Sequence, residues 1–223
     1  MIQKVYLKEK KMTRPLIGFL TAVLIVAVLA VIFIQVRPGF LGASETQESA
    51  RAKAPDFTLA NYDGKEVSLA DYAGKIVVLE WLNYDCPFVK HHYETQNTMI
   101  DLAKKYADKD VVWLGINSTD YATPEANKAF AEKHSVPYLI LDDHKGDVGH
   151  AYQATNTPGM FVIDKEGKIV YRGAIDNAPF GKLSEGQTEK INYVDKALAE
   201  LIEGKEVSTP KTQPYGCTVK YAK

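Results

Sequence analysis

Residues Lys75 to Asn83 read Lys-Ile-Val-Val-Leu-Glu-Trp-Leu-Asn, an apolar run broken only by Glu80, and Asp85-Cys86-Pro87 follows almost at once. A short run rich in β-branched residues and bounded by a helix-start signal reads as a strand buried on both faces. Proline suits the first turn of a helix, so Pro87 opens one that is expected to reach about Tyr106, with Cys86 at its cap. Backbone N–H groups point outward at such a helix start, and the dipole there favours a thiolate over a thiol. Cys86 is therefore read as a reactive sulfur; the competing reading is an apolar core filler, since free cysteines are often buried.

A second apolar stretch sets the chain's topology. Leu16 to Val36 is broken only by Gly18, Thr21 and Gln35, and its 21 residues match a bilayer crossing. Lys4, Lys8, Lys10, Lys11 and Arg14 precede it, opposed only by Glu9, so the flank 1–15 is expected in the cytoplasm and all that follows Val36 on the extracytoplasmic (periplasmic) side. The apolar core exceeds that of a cleaved signal peptide, and Leu41-Gly42-Ala43 is a weak cleavage site, so 16–36 is read as an uncleaved transmembrane anchor. Residues 37–53 are polar and aperiodic, a tether. The domain then occupies 54–223, enough chain for one core. A net charge of -1 gives no pull toward nucleic acid.

Within the domain, Phe57–Leu59 and Glu66–Ser68 flank the turn Asn61-Tyr-Asp-Gly64 as a hairpin. Val111–Asn117 is a second buried strand, and Thr123-Pro124 caps and opens a helix. A strand over Tyr138–Leu141 and a helical turn over Val148–Tyr152 come next. Gly159–Asp164 and Lys168–Ala174 make another hairpin, and a last helix over Gln187–Glu203 stops at Gly204. Strands alternating with helices predict an α/β domain with a central mixed sheet covered on both faces.

Ala54-Pro-Asp-Phe-Thr-Leu59 resembles the opening of peroxiredoxin and redoxin domains, and the helix-start cysteine followed by Thr157-Pro158-Gly-Met-Phe-Val-Ile-Asp164 resembles the thioredoxin fold. The pattern Asp85-Cys86-Pro87-Phe88-Val89-Lys90, with a later Gly216-Cys217, is similar to the peroxiredoxin-like (alkyl hydroperoxide reductase/thiol-specific antioxidant) branch of that fold. The resemblance runs from Ala54 to about Lys220. It implies a thioredoxin-like three-layer fold in which Pro158 is a cis-proline facing Cys86, and Thr157 offers backbone hydrogen bonds to a partner chain. It also implies a thiol-dependent oxidoreductase or antioxidant without a cofactor, acting on a protein disulfide or a peroxide and reset by an external thiol reductant. The chain departs from the pattern in three places. Val89 stands where a thioredoxin has its second cysteine, and Asn83 where a peroxiredoxin has the hydroxyl that holds peroxide. Lys90 stands where copper-delivery relatives have a second cysteine.

The remaining site residues each carry two readings. Lys90, one helical turn beyond Cys86, favours the thiolate or is a solvated lysine. Trp81 and Tyr84 wall the site or belong to the core. His91 and His92 are read as surface histidines; with Cys86 they would instead make a soft copper(I) set, the basis of an alternative metal-delivery module. Cys217, in a tail that is mobile unless tied down, is a resolving thiol for Cys86, half of a permanent staple, or free. If it is only a staple, the domain is a redox-inactive scaffold.

Overall fold

The computed structural model describes residues 52–183 and 185–223. The expected anchor 16–36 lies outside them, and among the described residues no helix is long and apolar enough to cross a membrane. Ala52 and Lys53, expected in the tether, already join the domain: Ala52 O accepts from Ile169 N, and Lys53 bridges Lys168.

The strands are β1 (Thr58–Asn61), β2 (Glu66–Ser68), β3 (Ile76–Trp81), β4 (Val111–Asn117), β5 (Leu139–Asp142), β6 (Asn156–Thr157), β7 (Gly159–Ile163), β8 (Ile169–Gly173) and β9 (Cys217–Thr218). Seven of them form one sheet in the order β2-β1-β5-β4-β3-β7-β8. The β3–β4 and β4–β5 pairs are parallel, and β1–β2, β1–β5, β3–β7 and β7–β8 are antiparallel, so the sheet is mixed as expected. All of β3 is buried, which is why its sequence is apolar on both faces.

Alternation along the strands sorts the core into two layers. Val78, Leu82, Met160, Val162 and Tyr171 face α1 (Pro87–Glu94), α2 (Thr98–Tyr106), α3 (Pro124–His134) and α5 (Tyr193–Ile202). Val77, Leu79, Trp81, Phe161 and Ile163 face α4 (Asp147–Tyr152) and Phe57.

Two helices differ from expectation. The helix read as running from Pro87 to Tyr106 breaks after Glu94 and restarts at Thr98. Asn97 takes a left-handed φ of 54°, which asparagine tolerates, and its side chain donates to Asp101 Oδ1 at 2.7 Å. The last helix starts at Tyr193, not Gln187, because the Asn192 side chain caps it by accepting from Asp195 N at 2.8 Å. Thr123 caps α3 as expected, accepting from Ala126 N.

Candidate active site

Cys86 is the cap residue of α1, one short loop beyond β3. Asn83 shapes that loop: its carbonyl accepts from Cys86 N at 3.0 Å, its Oδ1 from Asp85 N at 2.7 Å, and its Nδ2 donates to Tyr121 Oη at 3.2 Å. The side chain that replaces a peroxide-holding hydroxyl is thus engaged in local structure.

The Cys86 thiol donates to the Thr157 carbonyl oxygen at 3.0 Å, and the Thr157–Pro158 bond is cis. Cys217 arrives from the far end of the chain. Its strand β9 pairs antiparallel with β6, placing Cys217 opposite Thr157 and Thr218 opposite Asn156. Gly216 makes this approach feasible, because a Cβ there would collide with the same Thr157 carbonyl oxygen, and its φ of 106° suits glycine. Cys86 is only 2% exposed, and both cysteines are free thiols.

Burial pushes the Cys86 thiol up, but donors around the sulfur outweigh it and hold Cys86 below its ordinary value. They are Thr157, the Cys217 thiol, and the Val89 and Cys217 backbone N–H groups. Cys217 moves the other way, pushed up to about 11 by burial and by its neighbour Cys86. The pair is therefore divided into a sulfur that ionises readily and one that keeps its proton, the division expected of an attacking thiol and a second thiol that acts later.

Other expected site residues lie elsewhere. Trp81 is a correction: it does not wall the site but packs on the opposite face of the sheet, against Tyr152 and Phe161, with its indole N–H on Ser118 Oγ at 3.0 Å. Side chains alternate along β3, so Trp81 shares a face with Val77 and Leu79 while the Cys86 layer takes Val78 and Leu82. Lys90 Nζ lies 3.8 Å from Asp85 Oδ1, both well exposed, and is not among the groups that set the Cys86 thiol. Tyr84 stays beside the site layer, partly buried, with its ring 6.3 Å from that of Tyr121.

His92 is also a correction. It is buried, not at the surface, and both ring nitrogens are engaged: Nδ1 with Thr98 Oγ1 at 3.1 Å and Nε2 with Tyr215 Oη at 2.8 Å. A nitrogen so occupied is not offered to copper, and among the described residues no group of three His, Cys, Asp or Glu side chains stands ready to hold a metal. His92 is therefore not free to join Cys86 in the alternative metal set, while His91 Nε2 is buried without a protein partner.

The residues missed in the sequence are Tyr215 and Asp176, which carried no signal because their partners are remote in sequence. Asn83 stands out in the sequence by its place three residues before the cysteine, and the structure adds its role in shaping the loop.

The model of the AhpC/TSA family matches residues 50–172, more than half of the chain. The chain belongs to the AhpC/TSA family. Among its relatives in that thioredoxin-fold redoxin group, thiol-disulfide oxidoreductase ResA of Bacillus cereus is 28% identical over 134 residues, 59% of this chain and 73% of the relative. Peroxiredoxin Bcp of Bacillus subtilis is 29% identical over 140 residues, covering 53% of this chain and 80% of the relative. The crystal structure of a hypothetical protein from Sinorhizobium meliloti 1021 superposes with a TM-score of 0.68 at 26% identity, over 78% of this chain and 94% of the other. The fold is thioredoxin-like, and the family's redox character matches a site built from one activated thiol at a helix start.

Proposed function

We propose that the protein is a membrane-anchored thiol oxidoreductase working on the extracytoplasmic side, with Cys86 as nucleophile and Cys217 as resolving thiol. The anchor is the 16–36 segment. One observation carries the reading: β6–β9 pairing brings Cys217 to Thr157, the residue whose carbonyl already holds Cys86.

In this scheme the Cys86 thiolate attacks one sulfur of a substrate disulfide. A Cys86 mixed disulfide forms, and the other substrate sulfur leaves as a thiolate. Cys217 then attacks the Cys86 sulfur, the Cys86–Cys217 disulfide closes, and the second substrate thiol leaves with the Cys217 proton. An external dithiol returns both cysteines to thiols. With a peroxide, Cys86 becomes a sulfenic acid as the alcohol departs, and closure by Cys217 releases water. A peroxide is the second substrate reading, favoured by the unengaged Thr157 hydroxyl beside the sulfur.

The test is turnover of disulfide and peroxide substrates by wild type, Cys86→Ser and Cys217→Ser, with non-reducing mass analysis. Cys86→Ser is expected to be inactive. Cys217→Ser is expected to stall as a substrate adduct or a dimedone-reactive sulfenic acid on Cys86. Thiol-dependent turnover unchanged in Cys86→Ser, or full turnover by Cys217→Ser, overturns the reading.

A further inference from the structure

Cys217 lies in a terminal tail, and a thiol on a free tail meets its partner rarely. What fixes this tail is largely remote from the two sulfurs. Two residues before Cys217, the Tyr215 hydroxyl donates to Asp176 Oδ1 at 2.7 Å and lies 2.8 Å from His92 Nε2. Tyr215 has one proton to give and gives it to the carboxylate, so its oxygen accepts from His92 Nε2–H. His92 Nδ1 faces the Thr98 hydroxyl 3.1 Å away, which also reaches Gln96 Oε1 at 3.4 Å.

Each partner is held in turn. Asp176 is fully buried, its Oδ1 also accepts from Ala178 N at 2.9 Å, and its Oδ2 faces Lys190 Nζ at 3.3 Å. Lys190 is itself fixed on Gln96 Oε1 at 2.7 Å. His92 belongs to α1, the helix that Cys86 caps. The Tyr215 ring stacks on His92 with centroids 6.2 Å apart, and Phe88 of the same helix lies 5.9 Å away. The tail is thus hydrogen-bonded to the body of the helix whose first turn holds Cys86. Beyond Cys217 the tail is tied again, by Val219 N on Thr155 O and Tyr221 Oη on Ala154 O.

We propose that Tyr215, with Asp176 and His92, is a positioning latch that seats Cys217 against Cys86. A buried carboxylate and a buried histidine are costly to place in a core for shape alone. Their convergence on one tail hydroxyl beside the second cysteine gives them a purpose: they raise the effective concentration of Cys217 at the Cys86 sulfur. The inference rests on the reading of Cys217 as the resolving thiol. The hydrogen bonds of Tyr215, Asp176 and His92 go to one another and their neighbours, not to either sulfur, so they act through the tail.

The experiment compares the full chain with Tyr215→Phe, which keeps the ring and its stacking while removing the hydroxyl. The readout is the effective molarity of the Cys86–Cys217 disulfide, from its equilibrium with reduced and oxidised glutathione, together with the rate of closure after Cys86 is loaded with a mixed disulfide. Tyr215→Phe is expected to lower both about tenfold or more, with initial attack by Cys86 no slower. Asp176→Asn, which still accepts a hydrogen bond, is expected to lose less than Tyr215→Phe. A merely structural Tyr215 would lower the melting temperature and leave the effective molarity alone, and that result overturns the latch. The two readings fail separately. If Cys217→Ser turns over as wild type, the resolving role is wrong; if Cys217→Ser stalls and Tyr215→Phe closes as wild type, only the latch is wrong.

Discussion

Cys86 donates its thiol proton to the carbonyl oxygen of Thr157 at 3.0 Å, across 71 residues of sequence. That contact joins the start of α1 to the strand edge on which the C-terminal tail is laid, so chemistry at Cys86 and closure of the tail share one residue. Helix start, cis-proline loop and tail form one unit.

The two sulfurs are expected to titrate far apart. Donors around Cys86 hold it below the ordinary cysteine value, while burial and Cys86 itself push Cys217 up to about 11. Ultraviolet thiolate absorbance against pH should show two separate steps. Cys86→Ser should remove the lower step and also move the upper one down, because Cys86 contributes to raising Cys217. A single step shared by both sulfurs, unmoved in Cys86→Ser, would show that the sulfurs do not interact.

Gly216→Ala tests the tail's approach. The new methyl would meet the Thr157 carbonyl oxygen and lie 3.3 Å from Pro158 Cδ, on a backbone with φ of 106°. A side chain there is strained by about 1–3 kcal/mol, so the tail should lift off β6 in preference to accepting the collision. Cys86, 2% exposed with the tail in place, should then be alkylated at least severalfold faster by a small reagent, with α-helical circular dichroism unchanged. Unaltered alkylation would show that the tail does not cover the sulfur.

Much of this site was legible in the sequence, and what was not has identifiable causes. The β3 strand announced itself because burial on both faces leaves few polar residues, and Pro87 marked the helix start that Cys86 caps. The hairpin at Asn61–Gly64 followed from its turn residues, and Asn61 Oδ1 indeed accepts from Asp63 N and Lys65 N. The break between α1 and α2 contains neither proline nor glycine, so only the left-handed Asn97 marks it. Trp81 was assigned by proximity to Cys86 in sequence, although the parity of positions along the strand already separates it from Val78 and Leu82. His92 looked like surface because its partner Tyr215 lies 123 residues away, and no local pattern encodes a contact of that span.

Trp81→Phe makes the same distinction experimentally. Trp81 is fully buried among Tyr152 and Phe161 and gives its N–H to Ser118. The smaller ring should destabilise the fold by about 1–3 kcal/mol through lost packing and the lost indole hydrogen bond, Ser118 keeping only its bond to Asp143 Oδ2. The thiolate titration of Cys86 should stay put. Denaturant unfolding and thiol absorbance on one sample check both; a displaced Cys86 titration with unchanged stability would return Trp81 to the site.

Two buried ionisable groups on the Cys86 side of the sheet should oppose each other in pH dependence. Burial pushes His92 down to about 4 against Asp176, which raises it, and with His91 and Lys190, which lower it further. A lowered histidine binds fewer protons folded than unfolded, so its contribution is complete above about 6.5 and is lost as pH falls toward 4, roughly 3 kcal/mol over that window. Burial pushes Glu80 up to about 7, even though Tyr93, Tyr138 and Trp113 all donate to its Oε2 and favour the charge. A raised carboxyl binds more protons folded than unfolded, so its contribution is complete below about 4.5 and is lost as pH rises toward 7, by a similar amount. The two slopes cancel between pH 4.5 and 6.5, where the wild type should show nearly constant unfolding free energy. Glu80→Gln should expose the histidine slope, with stability rising with pH across that interval. His92→Gln should expose the carboxyl slope, with stability falling instead. Urea unfolding at both ends of the interval measures each sign, and parallel profiles for wild type and both variants would show that neither group is held buried in the charge state its surroundings dictate.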